Sequence, residues 1–531
     1  MSFRRLLTPV VLCLVAAPAL LAQQFTRIAA SDFVKDPAKV KALQQAVAAM
    51  KLRNTANPMS ADFRTSWAYW AATHGYLGTG KHAATTAARF KSVVAPQRCA
   101  GAVPKNVCLQ YYDHVTDSVV PNDGFTNDIW GTCQHGNMQF LPWHRMYLIF
   151  FERTLRKSSG DPKFALPYWD YYNELGPMNG VAVPALVRGP STGSLYDEFR
   201  TPGLNTNTSS IDPNDASAEQ AFKATGFRAF SKTLEGQPHG SMHCGTGFDC
   251  DAPDIGIVPV AGLDPVFYMH HANIDRLWQC WMLQKAKGQP ITLDWAKKNL
   301  GEPDSWFEQT WQFVDENGKQ VSMAVKDLFL PGVVDYTYAN FNDCGQGPPQ
   351  VVTLQAEKAP APPPPAALTA PAAPVAVGKA TRLHGRAISV HPTRPMAKTL
   401  AATTTAMAMP PDAEFPSGDT LLILDDVRFE APPGVTYDVY IAPRKTPARR
   451  AYVATLNLFG LFDEHDHTAA KPGYDHLFWD ITNQLARLAM TPASDIDVTF
   501  VPSNGMQGAK LTEANAAGAV MVGYVRIQQV P

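Results

Sequence analysis

The chain has 531 residues, of which 45% are hydrophobic and 18% are charged, and its formal net charge is -1. The length is enough for two or three domains, and the composition is that of a globular protein. Because the sequence carries no excess of basic residues, nucleic acid is not expected as a partner.

The N-terminus has the pattern of a secretory signal. Arg4 and Arg5 precede an apolar run, Leu6–Leu21, and the small residue Ala22 follows it. The run is shorter than the roughly 20 residues that a membrane span requires, and two prolines interrupt it. We therefore expect residues 1–22 to be a signal peptide. The protein would be exported, either periplasmic or secreted, with no membrane partner.

Residues 23–345 are predicted to form a mainly α-helical domain. Apolar residues recur at helical spacing in three runs, Ser66–Gly75, Trp143–Arg156 and Asn273–Gln284. His239 and His243 lie four residues apart, so they would point to the same side of a fourth helix. Four helices that direct side chains inward are a common frame for a metal site.

The composition changes after this domain. Residues 346–379 are rich in Pro and Ala, which predicts a semi-extended linker. Residues 380–531 contain short segments rich in β-branched and aromatic residues, separated by Pro, Gly and Asp. This pattern predicts a C-terminal β-sandwich domain, with one helix at His476–Met490.

Two histidine-rich stretches carry most of the chemical information. The first runs from His135 to Glu152, and the second runs from His239 to Asp275. Imidazole ligands without thiolates or several carboxylates suit copper, zinc, iron or nickel better than calcium or magnesium. Two sites of three histidines each, facing one another, would form a binuclear centre.

The two stretches resemble known signatures. His135–Glu152 resembles the copper A signature of tyrosinases, catechol oxidases and haemocyanins, and Asp264–Asp275 resembles their copper B signature. The resemblance extends over residues 60–340 and implies a four-helix bundle that holds two copper ions as cofactors, with dioxygen as co-substrate. Tyr336-Thr-Tyr338 resembles the tyrosine motif that closes the central domain of this family.

The resemblance also implies a set of metal ligands. The implied ligands are His74, His135 and His144 at copper A, and His239, His243 and His271 at copper B. His114 is the alternative to His74. His271 is preferred over its neighbour because the family ligand lies four residues before an aspartate, here Asp275. His270 and Asp275 are then expected to lie beside the ligands rather than among them.

Seven of the eight cysteines follow the signal peptide. The expected disulfides are Cys99–Cys108, Cys244–Cys250 and Cys280–Cys344. The remaining Cys133 lies two residues before His135, a spacing at which some family members form a thioether to the histidine. The alternative is a free buried cysteine.

Two more residues are singled out by the resemblance. A family glutamate four residues before the first copper B ligand orients a water that deprotonates phenols, and Glu235 has this place. The alternative is a glutamate on a helix surface. The residue after that ligand is often Asn in efficient monophenol hydroxylases, whereas here it is Gly240. The sequence therefore favours o-diphenol oxidation over monophenol hydroxylation.

The implied function is copper-dependent oxidation of o-diphenols to o-quinones with dioxygen, acting on small phenolic substrates. Two alternatives use the same ligands: a haemocyanin-like oxygen carrier, and a related copper oxidase of o-aminophenols or hydroxybenzoates. The C-terminal block resembles the shielding domain of latent polyphenol oxidases, with a cleavage site in the linker; a constitutive accessory domain is the alternative. The need for a copper-delivery protein and the oligomeric state are left open.

Overall fold

The structure is a computed structural model. It describes residues 25–76, 96, 121–247, 255–341, 344, 374–393, 408–429, 433–460, 473–508 and 518–531. The predicted signal peptide, His114, and most of the predicted linker lie outside these residues, as do Cys99, Cys108 and Cys250. Within the described part, no helix combines the length and apolarity needed to cross a membrane.

The N-terminal part is built from helices. The α-helices are α1 Ala30–Phe33, α2 Pro37–Leu52, α3 Ala61–Arg64, α4 Trp67–His74, α5 Phe140–Ser159, α6 Glu219–Lys223, α7 Phe227–Leu234, α8 Ser241–Thr246, α9 Val258–Ala261, α10 Pro265–Ala286, α11 Leu293–Asn299 and α12 Asp304–Glu308. Short 3₁₀ turns cover Arg53–Thr55, Thr126–Asp128, Pro177–Asn179, Ala185–Val187 and Val325–Phe329, and a π-helical turn covers Glu235–Gly240.

The three predicted helical runs form α4, α5 and most of α10. Ser66 caps α4 by accepting a hydrogen bond from the Tyr69 amide, and Asp264 caps α10 in the same way. α5 ends at Gly160, whose φ of 70° is a conformation that glycine adopts without strain. α10 begins earlier than predicted, so His270 and His271 lie inside the helix rather than before it.

Two small sheets complete this part. The strands are β1 Phe25–Arg27, β2 Thr310–Val314, β3 Gln320–Ala324 and β4 Tyr336–Tyr338. β1 pairs with β4 in parallel, and β2 pairs with β3 antiparallel. The pairing of β1 with β4 joins the first described residues of the domain to its predicted tyrosine motif.

The C-terminal part consists of two facing sheets, as predicted. Its strands are β5 Ala376–Gly378, β6 Thr381–Leu383, β7 Ile388–Val390, β8 Thr420–Phe429, β9 Thr436–Pro443, β10 Ala451–Leu456, β11 Gly473–Asp480, β12 Ile496–Ser503 and β13 Val520–Gln529. One sheet has the order β10-β9-β12-β7, and the other has the order β11-β8-β13-β5, with β6 also paired to β13. A single hydrophobic cluster fills the space between the sheets.

Two local features differ from the prediction. His476 lies in β11, and the helix in this region is only α13, Thr482–Arg487, so the helix predicted from His476 was wrong at its start. β5 lies inside the interval predicted as linker, yet it pairs with β13. The sandwich therefore begins a few residues earlier than the sequence indicates.

β8 is buried on both faces and joins the two parts of the molecule. Leu422 and Leu424 point into the sandwich core, whereas Leu421 and Ile423 belong to the hydrophobic cluster of the helical part. Successive side chains of a strand point to opposite faces, which explains the alternation. Phe478 on β11 also packs into the helical part, so this sheet forms an apolar seam between the two parts.

Candidate metal centre

The structure brings the six histidines implied as ligands to one place. Five are buried and His135 is half-buried. Their positions are His74 at the end of α4, His135 in the loop before α5, His144 in α5, His239 in the π-helical turn, His243 in α8 and His271 in α10. The four-residue spacing predicted one regular helix that carries both His239 and His243. The structure instead has the two residues in different elements.

The rings form two groups that face each other. In the first group, the ring centroids of His74, His135 and His144 are 5.2 to 5.5 Å apart. In the second group, those of His239, His243 and His271 are 4.6 to 5.3 Å apart. Across the groups, the His144 and His271 rings stack at 4.5 Å. The nitrogens of His271 lie close enough to both groups to place this residue between them.

Backbone carbonyls orient the rings of four of these histidines. Carbonyl oxygens only accept hydrogen bonds, so each of these contacts places the ring proton on Nδ1 and leaves the lone pair on Nε2. The Nδ1 contacts are His74 to Val258 O at 3.2 Å, His144 to Phe140 O at 2.8 Å, His239 to Glu235 O at 3.0 Å and His243 to Ile255 O at 2.6 Å.

The Nε2 atoms of His135, His144 and His239 are buried and have no hydrogen-bond partner among the described atoms. Buried polar atoms are normally paired, and one metal ion bound in each group would satisfy these nitrogens. Burial lowers the pKa of His135, His144, His239, His243 and His271, to about 3 for His144. These five rings are therefore neutral at ordinary pH, which is the form that binds metal. The donor set fits two copper ions.

His270 lies beside the second group. Its ring is 4.6 Å from that of His243 and 5.5 Å from that of His239, and its Nδ1 is 2.7 Å from the Tyr171 hydroxyl. Its nitrogens also lie within metal-binding reach of the second group. The hydrogen bond to Tyr171 fixes the ring against the neighbouring ligands.

A buried ionic network ties the ligand helices together. The Asp275 carboxylate accepts hydrogen bonds from Arg145 Nε at 2.5 Å and from the Tyr336 and Tyr338 hydroxyls at 2.6 and 2.5 Å. Arg27 on β1 also contacts it. Burial alone would raise the pKa of Asp275, but the two positive charges hold it below its usual range. The network joins α5 and α10, which carry His144 and His271.

Glu235 and Cys133 lie next to the ligands. Glu235 is buried, and its Oε1 accepts a hydrogen bond of 2.5 Å from the Gly136 amide, next to His135. Burial raises the pKa of this carboxyl group to about 8. Glu235 is thus not on a helix surface. The Cys133 Sγ lies 3.6 Å from His135 Nδ1. Elsewhere, the predicted disulfide Cys280–Cys344 is confirmed.

A loop of the C-terminal part covers the histidines. The Phe459 ring stacks on His243 with 4.0 Å between centroids and 13° between planes, and it lies 5.6 Å from the His239 ring. Gly460 has a φ of 81°, and a Cβ at this position would lie 2.8 Å from the His135 ring. Sequence analysis missed both residues, because the segment after β10 matches no metal-site pattern.

Comparison with known proteins agrees with this geometry. The family model "Common central domain of tyrosinase" matches residues 64–192 and 190–284. Tyrosinase HcTyr1 of Hahella sp. (strain CCB-MM4) is 31% identical over 324 residues, which cover 55% of this chain and 59% of that protein's length. The latent form of chloroplastic polyphenol oxidase from Prunus armeniaca is 28% identical over 499 residues, which cover 85% of this chain and 75% of that protein.

Solved structures show the same fold. A latent aurone synthase matches with a TM-score of 0.55 at 18% identity, covering 96% of this chain and 90% of that one. Latent apple tyrosinase matches with a TM-score of 0.54 at 19% identity, covering 95% of this chain and 97% of that one. From the matched model, the related sequences and the buried histidine groups, we conclude that this chain contains the common central domain of tyrosinase, with histidine groups suited to a pair of copper ions.

Proposed function

We propose that this protein is an exported copper oxidase that converts o-diphenols to o-quinones and is held inactive by its C-terminal domain. The observation that supports this most directly is the Phe459 ring, which stacks on His243 in one of the two facing groups of histidines. A ring in this position would keep substrates away from the histidines of an enzyme until the ring is moved. The signal-like residues 1–22 support export.

The ligand set follows from the two ring groups. His74, His135 and His144 would hold one copper ion, and His239, His243 and His271 would hold the other. The copper pair supplies two-electron redox chemistry, in which two diphenols give four electrons and four protons to one dioxygen and yield two quinones and two waters. His270 and Asp275 position the ligands through Tyr171 and Arg145, and Cys133 is placed to lock His135 through a thioether.

Glu235 is placed to take the proton of an incoming phenol through a water molecule. The Gly136 amide fixes one carboxylate oxygen, and burial raises the pKa of Glu235 to about 8. A base whose pKa lies near the working pH is the most effective in proton transfer. Gly240 offers no side-chain amide to help hold the water, so we infer that diphenols are oxidised faster than monophenols are hydroxylated.

The domain boundary supports a latent form. The seam formed by β8 and β11 buries apolar residues against the helical part, so the C-terminal domain is docked rather than loosely tethered. The Pro/Ala-rich residues 346–373, which connect the two parts in the sequence, are the segment in which we expect a protease to cut. Cleavage there would leave only non-covalent contacts to keep Phe459 in place.

The test is turnover of a catechol and of a monophenol by the copper-loaded protein, before and after limited proteolysis of the linker. Catechol oxidation that rises after cleavage, with a slower monophenol rate, is the expected result. Reversible oxygen binding without turnover after cleavage would identify an oxygen carrier instead. Turnover of o-aminophenols or hydroxybenzoates in place of catechol would agree with the proposed copper centre but contradict the proposed substrate class.

A further inference from the structure

Three aspartates meet at the boundary between the two parts of the molecule. Asp212 and Asp215 lie in the loop before α6, and Asp438 lies on β9 of the sandwich. Asp215 is 1% exposed. Its Oδ2 has no hydrogen-bond partner among the described atoms. Carboxylates that share a buried position repel each other unless one of them is protonated.

The hydroxyl group of Thr455 on β10 shows where such a proton is needed. Its Oγ1 lies 2.7 Å from Asp215 Oδ1, 3.2 Å from Asp438 Oδ1 and 2.7 Å from the Tyr452 hydroxyl. A threonine hydroxyl has one proton to donate and two lone pairs to accept with. It can therefore donate to only one of the two aspartates. The other contact becomes a hydrogen bond only if that carboxyl group carries its own proton.

The same residue also takes part, through its backbone amide, in the contact that holds the covering loop. The Thr455 amide donates to the Gln237 side chain at 2.9 Å, and Gln237 precedes the ligand His239 by two residues. Gln237 in turn donates to the Tyr452 hydroxyl at 3.2 Å. Thr455 stands four residues before Phe459, so a change at this contact acts close to the covering ring.

We propose that one proton shared by Asp215 and Asp438 is part of the lock between the two domains, and that loss of this proton as the pH rises weakens the docking of the C-terminal domain. This inference rests on the proposed role of that domain as a cover. Deprotonation would place two carboxylates around one donor. The resulting repulsion acts directly across the domain boundary.

The other charged and titratable groups around the pair do not remove this repulsion. Asp212 adds a third negative charge, and Arg450 is the cation that faces Asp438, from an exposed position over the Tyr440 ring at 4.1 Å. The Tyr440 and Tyr452 hydroxyls also face the cluster, and burial raises the pKa of both. Both phenols are therefore neutral in the range in which carboxyl groups titrate.

The direction of the pH effect follows from the carboxyl groups. Burial, followed by the negative charges of Asp438 and Asp212, raises the pKa of Asp215, and burial, followed by the charge of Asp212, raises that of Asp438 to about 7. After release, an aspartate titrates near its ordinary pKa of about 3.9. The docked form then binds more protons, so docking is strongest below that value and weakens as the pH rises toward 7. One such proton weakens docking on the order of 100-fold between pH 5 and pH 9.

The test uses the full copper-loaded chain cut only in the linker, so that the two pieces stay associated through their contacts. Sedimentation at graded dilution gives the dissociation constant of the pieces at pH 5 and at pH 9. We expect a rise on the order of 100-fold for the unmodified sequence. Asp438→Asn and Asp215→Asn should each reduce the rise to less than about fivefold, because an amide donates to Thr455 without titrating.

Asp495→Asn is the matched control, since Asp495 is an exposed aspartate of the same domain, and it should keep the full pH response. Thr455→Val is a second variant, which should weaken docking at pH 5 and flatten the response. A dissociation constant that does not rise with pH would overturn the proposal, as would Asn variants that respond like the parent. The measurement involves no phenol turnover, so it can fail while the oxidase proposal stands, and the reverse.

Discussion

Replacing Gly240 with alanine should open the latent enzyme without proteolysis. A Cβ on residue 240 would lie 2.6 Å from Asn457 Oδ1, 3.0 Å from its Cγ and 3.2 Å from the Phe459 Cβ. Asn457 has no freedom to swing aside. Its Oδ1 accepts a hydrogen bond from the Phe459 amide at 2.6 Å, and its Nδ2 lies 3.2 Å from Cys244 Sγ.

Overpacking of this kind costs about 1 to 3 kcal/mol. Because the three atoms nearest to the new methyl group all belong to the docked loop, this cost shifts the equilibrium toward the open form by roughly 5- to 150-fold. The assay is catechol turnover by the intact chain, divided by turnover of the same variant after complete cleavage. This ratio cancels any direct effect of the methyl group on catalysis.

A second substitution tests the cause. Asn457→Ala removes the two closest atoms, so Gly240→Ala should raise the ratio much less in that background than in the parent. Gly236→Ala is the control, because a Cβ there meets no atom within 4 Å, and it should leave the ratio unchanged. Equal effects of Gly240→Ala with and without Asn457 would refute the steric argument.

Three further changes test other parts of the site. Phe459→Ala should raise catechol turnover of the uncut chain, because it removes the ring that stacks on His243 at 4.0 Å; no gain in a folded, copper-loaded variant would mean that the ring is not the block. Intact-mass measurement should show the chain two hydrogens lighter than its disulfides explain, and Cys133→Ser should abolish that difference. Asp275→Asn should lower the free energy of unfolding by about 3 to 5 kcal/mol, since it leaves buried arginines without a full counter-charge. Thermal denaturation would check this, and an unchanged melting temperature would contradict it.

The helices and the histidine groups could be predicted from the sequence because both follow local spacing rules. Most residues of α4, α5 and α10 are buried, and apolar residues recur along these helices at helical intervals. The motifs at His135–His144 and His239–His243 place their residues within a few positions of one another. Local patterns of this kind can be recognised without knowledge of the tertiary structure.

The covering loop and β11 could not be predicted from the sequence, each for its own reason. Phe459 and His243 are in contact although more than two hundred residues separate them in the sequence. A single aromatic residue after a strand does not indicate which residue it will contact. In β11, Leu477, Phe478 and Trp479 are all buried, because the strand faces both the sandwich core and the helical part. A continuous apolar run does not distinguish a buried strand from a buried helix.

The ionic network at Asp275 has a consequence for the supply of copper. Arg145 follows His144 directly and Asp275 lies one turn after His271, so protein contacts alone set the distance between the two ligand helices. Small zinc domains differ, because they fold only when their metal binds. In this protein, contacts within the chain would order the proposed ligand residues during folding, before the metal binds. We therefore expect the metal-free protein to fold and to remain able to take up copper when the ion returns, with no new synthesis.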